Sequence, residues 1–131
     1  MKKEIRTDSA PLPIGPYSQG IASLAGELVF TAGQIAIPAG GTALQGEGIE
    51  EQARCTLENI RGILKEAGCD LRDVVKVTVY LQDMDDYPAL NRVYERYFAN
   101  PPYPARSVVE VARLPKGALV EIEAIAARGV P

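Results

Sequence analysis

Hydrophobic residues change period several times along the chain, and each change marks an element. From residue 48 to 67, Ile49, Ala53, Leu57, Ile60, Leu64 and Ala67 recur at spacings of three and four, which predicts a helix of about five turns with one apolar stripe. Gly68 is its natural C-terminal stop. In "VVKVTVYL" the period drops to two: Val75, Val77, Val79 and Leu81 alternate with Lys76, Thr78 and Tyr80, predicting a strand with one dry and one mixed face. The helical period returns in "DMDDYPALNRVYERYFAN", with Tyr87, Leu90, Tyr94 and Tyr97 or Phe98 as its stripe. Its leading acids and Pro88 suit a helix N-terminus, and Pro101 and Pro102 end it, since proline disfavours helical backbone in the residue before it.

Residues 8–20, "DSAPLPIGPYSQG", are rich in proline and glycine and predict an ordered extended loop. In "GIASLAGELVFTAGQIAI" two apolar runs flank Gly26 and Glu27, the pattern of a hairpin with a tight II′ turn. Two further strands, "ARSVVEV" and "ALVEIEAIAAR", close the chain and are joined by "RLPKG". The order is β, β, α, β, α, β, β, with a short additional first strand at Glu4 to Arg6. Helices long enough to act as crossovers predict an α+β fold: a single domain over residues 1–131, with a mixed sheet and both helices on one face. Lys76, Thr78 and Tyr80 make the other face too mixed for a core and too aromatic for plain solvent. An oligomer interface is expected there.

Composition narrows the function classes. The chain has 131 residues, a net charge of −3 and no histidine, so Ser-His-Asp and Cys-His machinery cannot be built. Lysines and arginines are scattered rather than clustered, which speaks against nucleic acid as a partner. Cys55 and Cys69 have neither CxxC spacing nor histidine partners, and no DxDxDG-like run appears, so no metal site is expected. Walker A and GxGxxG loops are missing too. The N-terminus carries charge but no apolar signal core, and no apolar run approaches a membrane span, so a cytoplasmic location is the expectation.

The remaining polar inventory points to a few residues. Alternation puts Arg106, Val108 and Glu110 on one face of their strand, and Glu121 and Glu123 on one face of the last. Paired through "RLPKG", those strands would bring Arg106 and Glu121 together at one end of the sheet. Such a pair is either a structural ion pair or, in a partly dry cleft, a clamp for a substrate carboxylate with Glu121 holding a water or passing a proton. Tyr17 is either a core plug or a pocket residue, and Asn91 either a solvated helix residue or one reaching into a cleft. Gly33 marks a bulge or a close backbone approach, with its N–H available to a ligand.

Taken together, "IGPYSQG", "LVFTAGQIAI", "QARCTLENIRGILKEAG", "VVKVTVYLQDMDDYPALNRVYERYF" and "PPYPARSVVEVARLPKGALVEIEAIA" resemble the RidA/YjgF family of enamine/imine deaminases over nearly the whole chain. The resemblance implies a chorismate-mutase-like fold and a homotrimer with ligand clefts between subunits. It also implies hydrolysis of reactive 2-imino acids, such as 2-iminopropanoate and 2-iminobutanoate, to 2-oxo acids and ammonia, with no cofactor. By the same resemblance Arg106 grips the substrate carboxylate, Glu121 is the second catalytic group, and Tyr17, Gly33 and Asn91 line the site. Two positions depart from the common family pattern: Val108 stands where many members have cysteine, and Ala32 where a serine is common. Thiol chemistry beside the pocket is therefore not expected. A non-catalytic binder of small metabolites with the same fold is the rival reading, and a ribonuclease a more distant one.

Overall fold

The computed structural model describes residues 2–23 and 26–129. Strands β1 (Lys2–Ile5) and β2 (Gly20–Ser23) form a small antiparallel sheet. The main sheet contains β3 (Glu27–Phe30), β4 (Val74–Leu81), β5 (Ala105–Glu110) and β6 (Val120–Arg128), in the order β3-β6-β4-β5. Helix α1 (Ile49–Glu66) precedes β4, and α2 (Tyr87–Tyr97) connects β4 to β5. The β4–β5 pair is parallel and the others antiparallel, so this is the mixed sheet expected of an α+β fold.

Both helices pack on the same face. Ala53, Leu57, Ile60 and Leu64 of α1 and Leu90, Val93 and Tyr94 of α2 share one core with Val77, Val79 and Leu81 of β4 and Val120, Ile122, Ala124 and Ala126 of β6. Removing a leucine of this kind from water is worth roughly 1.5–3 kcal/mol, and the alternation of β4 and β6 decides which side receives it. The choice left open in the α2 stripe resolves in favour of Phe98, which is buried and stacked on Tyr94; Tyr97 is half-buried and donates to Glu58. Helix α1 stops where expected. Gly68 has φ 78°, and the Cys69 and Gly68 N–H groups return to the carbonyls of Leu64 and Lys65, which satisfies the last turn.

Three expectations about the strands are corrected. The proposed β2–β3 hairpin does not form: β2 lies against β1, and β3 against β6. Gly26 is required by close packing instead, because a β-carbon there would overlap the Arg128 carbonyl. Residues 24 and 25 of that connection lie outside the described residues. Within β4 the register shifts between Val74 and Lys76, so Val74 enters the core in place of the expected Val75.

The third correction matters most for function: β5 and β6 are not neighbours, because β4 lies between them. The connection through "RLPKG" passes around the end of β4, where Val111 N–H reaches the Leu81 carbonyl, Gln82 N–H reaches that of Leu119, and the Gln82 side chain holds that of Ala112. A central β4 fills its hydrogen-bonding capacity on both edges. A β5–β6 hairpin would have left one of those edges open.

Candidate functional site

Helix α2 builds a seat for Arg106. Tyr87, Asn91 and Tyr94 are spaced i, i+4, i+7 and so share one face. The Arg106 Nη1 group donates to Asn91 Oδ1 at 2.6 Å and Nη2 to Tyr87 Oη at 2.9 Å. The Tyr94 ring lies 4.7 Å from the guanidinium carbon, and the rings of Tyr17 and Tyr87 lie at 5.4 and 5.6 Å. Each contact is within the range of a cation–π attraction. The core position of Tyr94 fixes its ring, and burial pushes its phenol well above the ordinary value, so it stays neutral.

Tyr17 arrives from the proline–glycine loop. Ser18 forms a parallel bridge with Ala105 at the outer edge of β5, its N–H bonding to Pro104 and its hydroxyl to Tyr103. That bridge sets the preceding tyrosine beside Arg106. Tyr17, Met84, Tyr87, Arg106 and Val108 then line a hollow of about 310 Å³, at the small end of ligand-pocket volumes. No carboxylate among the described residues pairs with Arg106. A larger hollow of about 500 Å³ beside α1, lined by Pro38, Arg54, Cys55 and Asn59 among others, holds none of these groups.

A second cluster lies on the other side of the sheet. Thr31 and Gln34 both bond to β6, at Ala124 and Ile122, so Ala32 and Gly33 bow outward as a bulge carrying one extra residue. Glu121 lies directly against Gly33, where a β-carbon would overlap the carboxylate. Next to it, Tyr80 donates to Glu123 at 3.2 Å. Burial first, and then that carboxylate, push the Tyr80 phenol above its usual value. Among the described residues no helix covers this face, and Phe30 and Leu28 are 66% and 55% exposed.

The five residues singled out in the sequence therefore fall into two groups. Arg106, Asn91 and Tyr17 come together, and so do Gly33 and Glu121, but the groups do not meet. Arg106 pairs in register with Val77 and faces the helices, whereas Glu121 pairs with Tyr80 and faces outward. The expected meeting of Arg106 and Glu121 within one chain is thus overturned, since it required β5 and β6 to pair. Tyr87 and Tyr94 were legible only as stripe residues; their i, i+4, i+7 relation to Asn91 is the signal that would have found the seat.

Comparison with known proteins agrees with this architecture. The family model described as Endoribonuclease L-PSP matches residues 7–128. A RutC family protein of Pyrococcus horikoshii is 55% identical over 96% of this chain and 98% of its own length. The 2-iminobutanoate/2-iminopropanoate deaminase of Salmonella typhimurium is 46% identical over 98% and 99%. Among solved structures, Escherichia coli TdcF with bound serine superposes with a TM-score of 0.74 at 43% identity, covering 97% of this chain and 99% of that one.

Proposed function

The chain belongs to the RidA/YjgF family, and we propose that it is a 2-iminobutanoate/2-iminopropanoate deaminase working as a homotrimer, with each active site shared between two subunits. One observation carries the reading: Arg106 is a seated, half-buried cation at the wall of a small hollow, with no carboxylate partner of its own among the described residues. A guanidinium held in this way is a ready receptor for a ligand carboxylate. The relative that bears the deaminase name and the relative crystallised with serine, itself a carboxylate, support the same class of ligand.

The chemistry fits the two groups of residues. Arg106 of one subunit holds the carboxylate of the 2-imino acid, and the C=N carbon is presented to a water held by Glu121 and Gly33 of a neighbouring subunit. The water oxygen bonds to that carbon, the C=N electron pair moves to nitrogen, and Glu121 takes the proton. Glu121 returns that proton to nitrogen to complete the carbinolamine; on collapse the hydroxyl proton passes through Glu121 to nitrogen, the O–H electron pair forms the C=O bond, the C–N bond breaks, and ammonia and the 2-oxo acid remain. Because an imine is already electrophilic, placement of its two reactants is the main catalytic task.

The test is to generate 2-iminopropanoate or 2-iminobutanoate in situ with a pyridoxal-phosphate dehydratase and follow release of the 2-oxo acid. Faster release with wild type, lost in Arg106→Ala, is the expected result. No acceleration by wild type refutes the proposal. The endoribonuclease description of the family model favours a second activity, but a net charge of −3 opposes it. RNA binding that weakens steeply with salt would be its signature.

A further inference from the structure

We infer that Tyr87 is a second donor of the carboxylate site: its oxygen accepts from the Arg106 fork and its O–H donates a hydrogen bond to the bound carboxylate. The deaminase reading enters only in naming the ligand as a 2-imino or 2-oxo acid.

Arginine nitrogens can only donate, so in the 2.9 Å contact between Arg106 Nη2 and Tyr87 Oη the phenol oxygen is the acceptor. Its hydrogen must then point elsewhere, and among the described residues it has no acceptor. Both groups line the same 310 Å³ hollow. An oxygen that accepts from a guanidinium is polarised by it, which makes its O–H a stronger donor towards an anion.

The guanidinium is left with capacity to match. Of the five N–H bonds of an arginine, one on Nη1 goes to Asn91 and one on Nη2 to Tyr87. Three remain for a ligand. With the Tyr87 O–H beside them at the same hollow, these spare donors suit the two oxygens of a carboxylate better than a neutral amide, whose N–H would need an acceptor.

The neighbouring tyrosines do not play this part. Tyr17 also lines the hollow, but it meets Arg106 through its ring, and its Oη accepts from the Ile14 N–H at 3.4 Å rather than from the guanidinium, so its O–H is neither polarised nor placed by Arg106. The Tyr94 hydroxyl is buried without a partner and does not line the hollow.

Tyr87→Phe keeps the ring and removes only the hydroxyl. Calorimetric titration of the full-length oligomer with 2-oxobutanoate is expected to show Kd rising about 10- to 100-fold, the range for losing a hydrogen bond to a charged group. The uncharged amide of the same acid is expected to lose about twofold or less. In the deaminase assay KM should rise by the same factor as Kd, with kcat little changed. Equal losses for acid and amide would mean a packing role and overturn the inference. Unchanged acid binding, or a wild type that does not bind 2-oxobutanoate, overturns it as well. A wild type that binds the acid through Tyr87 but does not accelerate imine hydrolysis would sink the deaminase reading and leave this one standing.

Discussion

On the helix-covered face Arg106 is held by Asn91, Tyr87 and the Tyr94 ring, whereas on the open face Glu121 rests against Gly33, on the same side as the exposed Phe30 and Leu28. Had the two been adjacent in one chain, they would have formed an ion pair and cancelled as a site. On opposite sides of the sheet, the two do not meet within the chain. In the deaminase reading proposed above, these are two unlike halves of one site, which self-association would join.

The largest expected effect comes from the seated half. Arg106→Ala should lower kcat/KM about a thousandfold, on the order of 4 kcal/mol of transition-state stabilisation, with the far-UV spectrum unchanged because the side chain is outside the core; steady-state kinetics decides. Glu121→Ala should cost about a hundredfold or more as general acid–base help is lost. Mixing the two variants tests whether the halves act together. Refolding equal amounts of the two inactive variants together should restore about a quarter of wild-type activity, because each mixed trimer regains one intact site. If activity stays at the level of the separate variants, the shared-site model is wrong.

The open face offers a further test. Phe30→Asp should convert the oligomer to monomer in gel filtration and lower activity about a hundredfold, since burying a charge in an interface costs several kcal/mol. Monomers with full activity would show that the halves do not need each other. The smallest change is Gly33→Ala. Its methyl would displace the Glu121 carboxylate, so kcat is expected to fall about five- to tenfold, while Tm moves by only a few degrees because a side-chain end can swing aside.

How much of this was legible in the sequence depends on range. The α1 stripe, the Gly68 stop and the inward set on β6 follow from spacings of two to four residues, and the structure reproduces them. Pairing depends on contacts far apart in sequence, and there adjacency misled: two apolar runs flanking Gly26 looked like a hairpin, and "RLPKG" like its counterpart. The alternation along β5 and β6 holds in the structure, yet β4 stands between them and Arg106 and Glu121 fall on opposite sides. No local pattern announces an intervening strand. Tyr87 was hidden for another reason: as a stripe residue its ring explained its presence, and its hydroxyl gained a purpose only once Arg106 stood beside it.

The Ser18 bridge to Ala105 has a consequence beyond setting Tyr17 in place. Strand β5 is the last of its sheet, and an uncovered outer strand is a template on which other chains can add without limit. By occupying the first rung of that edge, the loop makes runaway fibre growth harder to start there. A shortened or reshuffled loop in an engineered variant should therefore be checked for solubility over days as well as for turnover.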